Sequence, residues 1–151
     1  MAVNLSQNPQ LVRAARMGVL DGDNGCRSLA TELLRMGGSL DWSVKPYHHS
    51  AIFEASWRNN EACLKVLLEK GGNPNVADHR NSTPLHEASW YGHANICEIL
   101  LEKGAQIDAL DDTGQTPLFR AVLNRHHKVV ELLVEKGNNS FFDTIFIEIC
   151  H

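Results

Sequence analysis

The run TPLHEASWYGH, Thr83 to His93, decides how this chain folds. The Thr83 hydroxyl can cap a helix, and Pro84 suits the first turn, where a missing N–H costs nothing. Leu85, Ala88 and Ser89 lie three and four residues apart and form one face of that helix. Glu87, Trp90 and Tyr91 form the opposite face. The same frame stands 33 residues earlier in SAIFEASWRNN, Ser50 to Asn60, and 33 later in TPLFRA, Thr116 to Ala121. A second match keeps step with the first: CLKVLLEKGG from Cys63, ICEILLEKGA from Ile96 and VVELLVEKGN from Val129. Two matches per unit at one fixed period mark an internal repeat.

Each unit reads as two short helices. Ala55, Ala88 and Ala121 are small, as needed where neighbouring helices approach closely. Ile96, Ile99 and Leu100 recur at helical spacing in the second helix. Gly71, Gly104 and Gly137 should end that helix in the left-handed conformation. Lysine beside each of them (Lys70, Lys103, Lys136) complements the helix dipole. The polar segments NVADHRNS and DALDDTGQ between units fit extended hairpins. The first unit is degenerate. QLVRAARMG matches a first helix, with Ala14 equivalent to Ala55, and LATELLRMGGSLDW matches a second helix and its exit. VLDGDNGCRS between them reads, from its Asp, Gly and Asn content, as a flexible loop.

The period and the T-P-L-H-x-A pattern resemble ankyrin repeats. The resemblance runs from about Pro9 to Gly137. It divides the chain into an ankyrin repeat domain, 1–139, and an atypical apolar tail, 140–151. The domain comprises a degenerate capping unit, 4–45, and repeats at 46–79, 80–112 and 113–139. The implied fold is an all-α solenoid of about four helix-turn-helix units with projecting β-hairpin fingers. First helices would line the concave side and second helices the convex side, because no unit buries its apolar face alone. The resemblance gives His86 a structural hydrogen bond to a finger, which Phe119 cannot make in the last unit. The second unit has Ser50-Ala51-Ile52-Phe53 for Thr-Pro-Leu-His and Asn59-Asn60 for Gly-His; asparagine tolerates the left-handed conformation.

The chain has 151 residues, 43% of them hydrophobic, enough for one domain with a sizeable core. A net charge of −4 speaks against nucleic acid as a partner. No apolar run approaches the roughly 20 residues that span a membrane. MAVNLSQNPQ lacks the apolar core of a signal peptide. A cytoplasmic or nuclear setting is therefore expected. Cys63 and Cys97, set among Leu, Ile and Val, read as small buried hydrophobes in a reducing compartment. GxSxG, HExxH, P-loop and GxGxxG patterns are absent, so no catalytic residue and no cofactor are expected. His48-His49 and His126-His127 lack the further ligands of a metal set and read as solvated pairs.

Partner-binding residues are sought on the helix face opposite the core. In the four units these are Arg13, Arg16 and Met17; Glu54, Trp57 and Arg58; Glu87, Trp90 and Tyr91; and Arg120, Leu123 and Asn124. Trp, Tyr and Arg most often dominate interface energy; the alternative for Trp57 and Trp90 is that each indole packs against the next unit's first helix. Finger tips add Lys45, Tyr47, His48, Asp78, His79, Arg80, Asp111 and Asp112. The resemblance further implies asparagine hydroxylation at Asn75, in GGNPNVAD. The tail SFFDTIFIEICH is apolar and rich in β-formers, where solenoids end in a polar cap. Self-association through it, or a truncated or alternatively spliced longer protein, is the expectation it raises. The function expected is protein or peptide binding in the concave groove and fingers. The alternative is the substrate-recognition fragment of a ubiquitin-ligase adaptor, similar to ankyrin proteins with a SOCS box but lacking that box.

Overall fold

The computed structural model describes residues 9–17 and 23–137. Its elements are α1 (Pro9–Met17), α2 (Asp23–Arg35), β1 (Ser43–Val44), β2 (His49–Ser50), α3 (Ala51–Trp57), α4 (Glu61–Glu69), α5 (Pro84–Tyr91), α6 (Ala94–Glu102), α7 (Pro117–Leu123) and α8 (His127–Lys136). Helices α1, α3, α5 and α7 pack side by side, and α2, α4, α6 and α8 form a second layer behind them. Between the layers lie Leu11, Ile52, Ala55, Leu64, Leu85, Ala88, Ile96, Leu100, Ala121, Val129 and Leu133, all buried. Full burial stabilises a Leu or Ile side chain by about 1.5–3 kcal/mol, so each unit depends on its neighbours to cover these residues.

The caps set where the inner helices begin. Ser50, Thr83 and Thr116 each accept the backbone N–H three residues on, at Phe53, His86 and Phe119. His86 closes the box at Thr83: its Nδ1 accepts the Thr83 N–H at 3.1 Å. That fixes the other ring nitrogen as the donor, and Nε2–H reaches the Gln115 carbonyl at 2.9 Å, in the next finger. Burial lowers the His86 pKa, which keeps this neutral tautomer.

A second set of links joins units at the other end of the inner helices. Nδ2–H of Asn60 donates to the Ala15 carbonyl at 3.2 Å. Nε2–H of His93 donates to the Trp57 carbonyl at 3.1 Å, and Nε2–H of His126 to the Trp90 carbonyl at 2.8 Å. These three residues stand one repeat apart. Each satisfies a carbonyl left open at the end of the preceding unit's helix. The turn before each link is left-handed, at Asn59 (φ 57°), Gly92 (φ 75°) and Arg125 (φ 60°). Asn59 thus takes the conformation glycine takes in the third unit.

Four expectations need correction. VLDGDNGCRS is not a loop throughout, because α2 begins at Asp23; Cys26, Ala30 and Leu33 are buried on that helix, and tertiary packing outweighs its weak local propensity. Cys63 is buried but is not a free thiol: its sulfur is bonded to that of Cys26, tying α4 to α2. Among the described residues Cys97 is the free thiol, and burial pushes its pKa up to about 12. Gly137 is extended (φ −80°) and not left-handed like Gly71 and Gly104; there a Cβ would come within 2.8 Å of the Leu133 carbonyl oxygen. Finally, the fingers are mostly turns. Among the described residues only Ser43–Val44 and His49–Ser50 pair as strands. In the later fingers Asp78 and Asp111 hold the bend, each side chain accepting backbone N–H groups two and four residues on. Neighbouring fingers are joined edge to edge, His79 N–H to Tyr47 O and Asp112 N–H to Arg80 O.

Candidate functional site

The inner helices and the fingers enclose a cleft of about 490 Å³. Phe53, Trp57, Glu87, Trp90, Arg120 and Leu123 come to it from the helices. Tyr47, His49, Asp78, His79, Arg80, Asp111 and Asp112 come from the fingers. The position follows from the helical period. The face carrying Leu85 and Ala88 is consumed by the core, so the face carrying Trp90 and Tyr91 opens to the concave side.

The aromatic residues form a chain across units. The Tyr47 ring lies 5.7 Å from His49 and 5.5 Å from His79. His49 stacks on Phe53 at 4.5 Å and meets the Trp57 ring edge-on at 5.7 Å. Trp57 reaches Tyr91 at 6.4 Å, and the Arg58 guanidinium lies 4.2 Å over the Trp57 ring. Trp57 is half-buried by these neighbours. Trp90 is 37% exposed, while Tyr91 and Leu123 are more exposed still. Both indoles line the cleft, Trp57 half-buried by its neighbours and Trp90 more exposed.

The charged residues divide differently from expectation. Glu54 does not face the groove; it is fully buried. Its Oε1 accepts from Arg16 and from His49 Nδ1, both at 2.9 Å, and its Oε2 has no partner among the described residues. Burial pushes its pKa up, but the bonds from His49 and Arg16 outweigh this and hold it below the ordinary value. The sequence could not show that Arg16 and His49, from two other elements, close over this position. His49 is accordingly no solvated histidine, and nor is His126, which is spent on the Trp90 carbonyl. Glu87 and Arg120 line the cleft but hold each other at 2.8 Å, and Arg120 also donates to Asp111 at 2.7 Å. Burial raises the Asp111 pKa, yet Thr113, Gln115 and Arg120 together hold it far below the carboxylate range. Asp78 and Asp111 are turn-holding residues and not free finger contacts.

A family model for ankyrin repeats, in three copies, matches residues 11–111 and again 52–143. The chain belongs to the ankyrin repeat family. No curated protein matches it. Ankyrin repeats are in general protein–protein interaction modules, and the family is typically non-enzymatic. Among the described residues no group of His, Cys, Asp and Glu could hold a metal ion. No described helix is long and apolar enough to cross a membrane.

The other sequence-derived candidates fall into three places. Arg13 is exposed on α1, outside the cleft lining. Asn75 lies between units: its Oδ1 accepts the Gln106 N–H at 2.8 Å and its Nδ2–H donates to the Gly104 carbonyl at 3.1 Å. The side chain of Met17 and the tail 140–151 lie outside the described residues. The structure also adds residues that sequence reading missed: Ser82, which donates to Glu87 at 2.9 Å, and the Asn60, His93 and His126 links. The links had a legible signal, a polar side chain recurring once per repeat just before the second helix.

Proposed function

We propose that this ankyrin repeat chain binds a partner protein or peptide in its concave cleft. The observation that carries the reading is the exposure of Trp90 and Leu123 along a cleft whose supporting helices complete the core with their other faces, with Tyr91 exposed outside the cleft lining. Large exposed apolar side chains rimmed by polar groups suit an interface with another chain. A rigid aromatic anchor contributes area at small entropic cost. Tyr47, His79, Arg80 and Asp112 extend the surface onto the fingers, and Trp57, with Arg58 over its ring, adds a second indole to the cleft wall.

The test is selection of peptides from a random library on the immobilised chain, followed by mapping of backbone amide shifts. The reading requires shifts concentrated in residues 47–58, 79–91 and 112–124. Shifts concentrated on α4, α6 and α8 would refute it.

A further inference from the structure

We infer that the segment held in this cleft is basic, its cations received by Glu87 and Asp112 and an apolar neighbour by Trp90 and Leu123. The inference rests on the reading of the cleft as a peptide site. It comes from the balance of charge along the lining. Four carboxylates, Asp78, Glu87, Asp111 and Asp112, stand there against two arginines, Arg80 and Arg120. With histidine neutral, this one strip of surface carries half of the chain's net charge of −4.

The bonds that these carboxylates make do not remove the excess. Arg120 is shared between Glu87 and Asp111, one cation for two anions. Asp78 accepts backbone N–H groups of its turn, with His79 Nδ1 3.8 Å away, and Asp112 accepts the Asn81 amide. A neutral donor holds an anion in place and leaves its charge. Two of the four also have an oxygen to spare. Both bonds to Glu87, from Arg120 and Ser82, fall on Oε1, and the bond to Asp112 falls on Oδ1. Among the described residues Glu87 Oε2 and Asp112 Oδ2 accept no hydrogen bond. Glu87 is partly exposed and Asp112 exposed, so a ligand can reach both.

The apolar half of the inference comes from the same wall. The Arg120 guanidinium that binds Glu87 lies 5.9 Å over the Trp90 ring, so carboxylate and indole are neighbours. Trp90 and Leu123 are both exposed there. The Trp57 end is less open to a cation, because Arg58, outside the lining, already lies 4.2 Å over that ring. A bare metal ion is a poor occupant, since among the described residues no group of His, Cys, Asp and Glu could hold one. A nucleic acid meets a lining of its own sign. A basic protein segment meets the open oxygens and covers the indole together, and the charge of the cleft steers it in.

The experiment uses the full chain and dansylated peptides of about ten residues, read by fluorescence anisotropy. One peptide carries two lysines flanking a leucine; its counterpart has glutamates in their place. The lysine peptide should bind about tenfold more tightly, at two- to fivefold per exposed ion pair. Salt at about 1 M, where the screening length is about 3 Å, should erase most of the difference. Asp112→Asn keeps an acceptor for Asn81, and Glu87→Gln keeps one for Arg120 and Ser82. Each should weaken the lysine peptide two- to fivefold. Arg80→Gln removes a cation from the lining and should strengthen it by a similar factor. Equal or tighter binding of the glutamate peptide, indifference to both carboxylate variants, or equal binding of a single-stranded oligonucleotide of similar length would overturn the inference. If library-selected peptides shift the Trp90 amide but are not enriched in Lys and Arg, the basic assignment fails and the cleft reading stands. If selected peptides leave Trp90 unshifted as well, both fail.

Discussion

Consider Glu54→Gln. Glutamine keeps the shape of the side chain and one acceptor oxygen but removes a charge that receives two hydrogen bonds inside the fold. Hydrogen bonds to a charged group are worth about 1.5–3 kcal/mol against 0.5–1.5 for neutral ones. The bond from Arg16 is discounted, since its side chain is 48% exposed and solvent screens it. The expected loss at pH 7 is about 1–2 kcal/mol. The pH dependence follows from the folded pKa lying below the unfolded value of 4.5. A carboxylate lowered on folding contributes stability that is complete above the unfolded pKa. That contribution is lost as pH falls through 4.5 and on through the folded value. Glutamine has no such term, so the gap between variant and parent should narrow from pH 7 to about pH 4. Urea unfolding at both pH values, with unchanged m, measures it. A variant as stable as the parent at pH 7, or a gap that does not shrink at the lower pH, refutes the reasoning.

Gly92→Ala should destabilise by about 2 kcal/mol or more, because φ is 75° and the new Cβ would lie 2.5 Å from His126 Nδ1. Gly104→Ala, at φ 91° with nothing within 4 Å, should cost only the backbone part, about 1 kcal/mol; equal losses in thermal unfolding would remove the His126 contact from the account. Reducing the Cys26–Cys63 bond, whose partners are 37 residues apart, should lower stability by about 4 kcal/mol in the chain-entropy account, measured by urea unfolding with and without reductant. Native Cys97 should resist alkylation at neutral pH, since its thiol is buried with a pKa of about 12; peptide mass mapping that finds it labelled as fast as in urea contradicts this. Hydroxylase treatment should add one oxygen at Asn75, seen by mass spectrometry, without weakening its side-chain hydrogen bonds to Gly104 and Gln106.

Much of the fold was legible because each repeat states it again. Thr83-Pro84, Leu85 and Ala88 specify cap, first turn and core by position alone, and the period places their equivalents. The first unit was harder. Asp, Gly and Asn in VLDGDNGCRS argue for a loop locally, and only the burial of Cys26 and Ala30 against α4 makes helix the better solution. At the site, helical periodicity correctly turned Trp90, Tyr91 and Leu123 away from the core. It could not tell Glu54 from Glu87, since what separates them is Arg16 and His49 arriving from elsewhere in the chain. The roles of Asp78 and Asp111 were hidden for a related reason: an exposed acidic loop residue and a turn-holding one look alike until the backbone N–H groups are placed.

The central claim is that Trp90, with Trp57 in the same cleft, serves a partner more than it serves the core. The direct measurement is the Trp57→Ala, Trp90→Ala double variant, with peptide affinity and thermal midpoint determined on the same sample. The account predicts loss of binding to library-selected peptides, with the variant folded at room temperature and its midpoint lowered only by the loss of half-buried Trp57. Unfolding of the variant at room temperature, or unchanged peptide affinity in a folded variant, contradicts it.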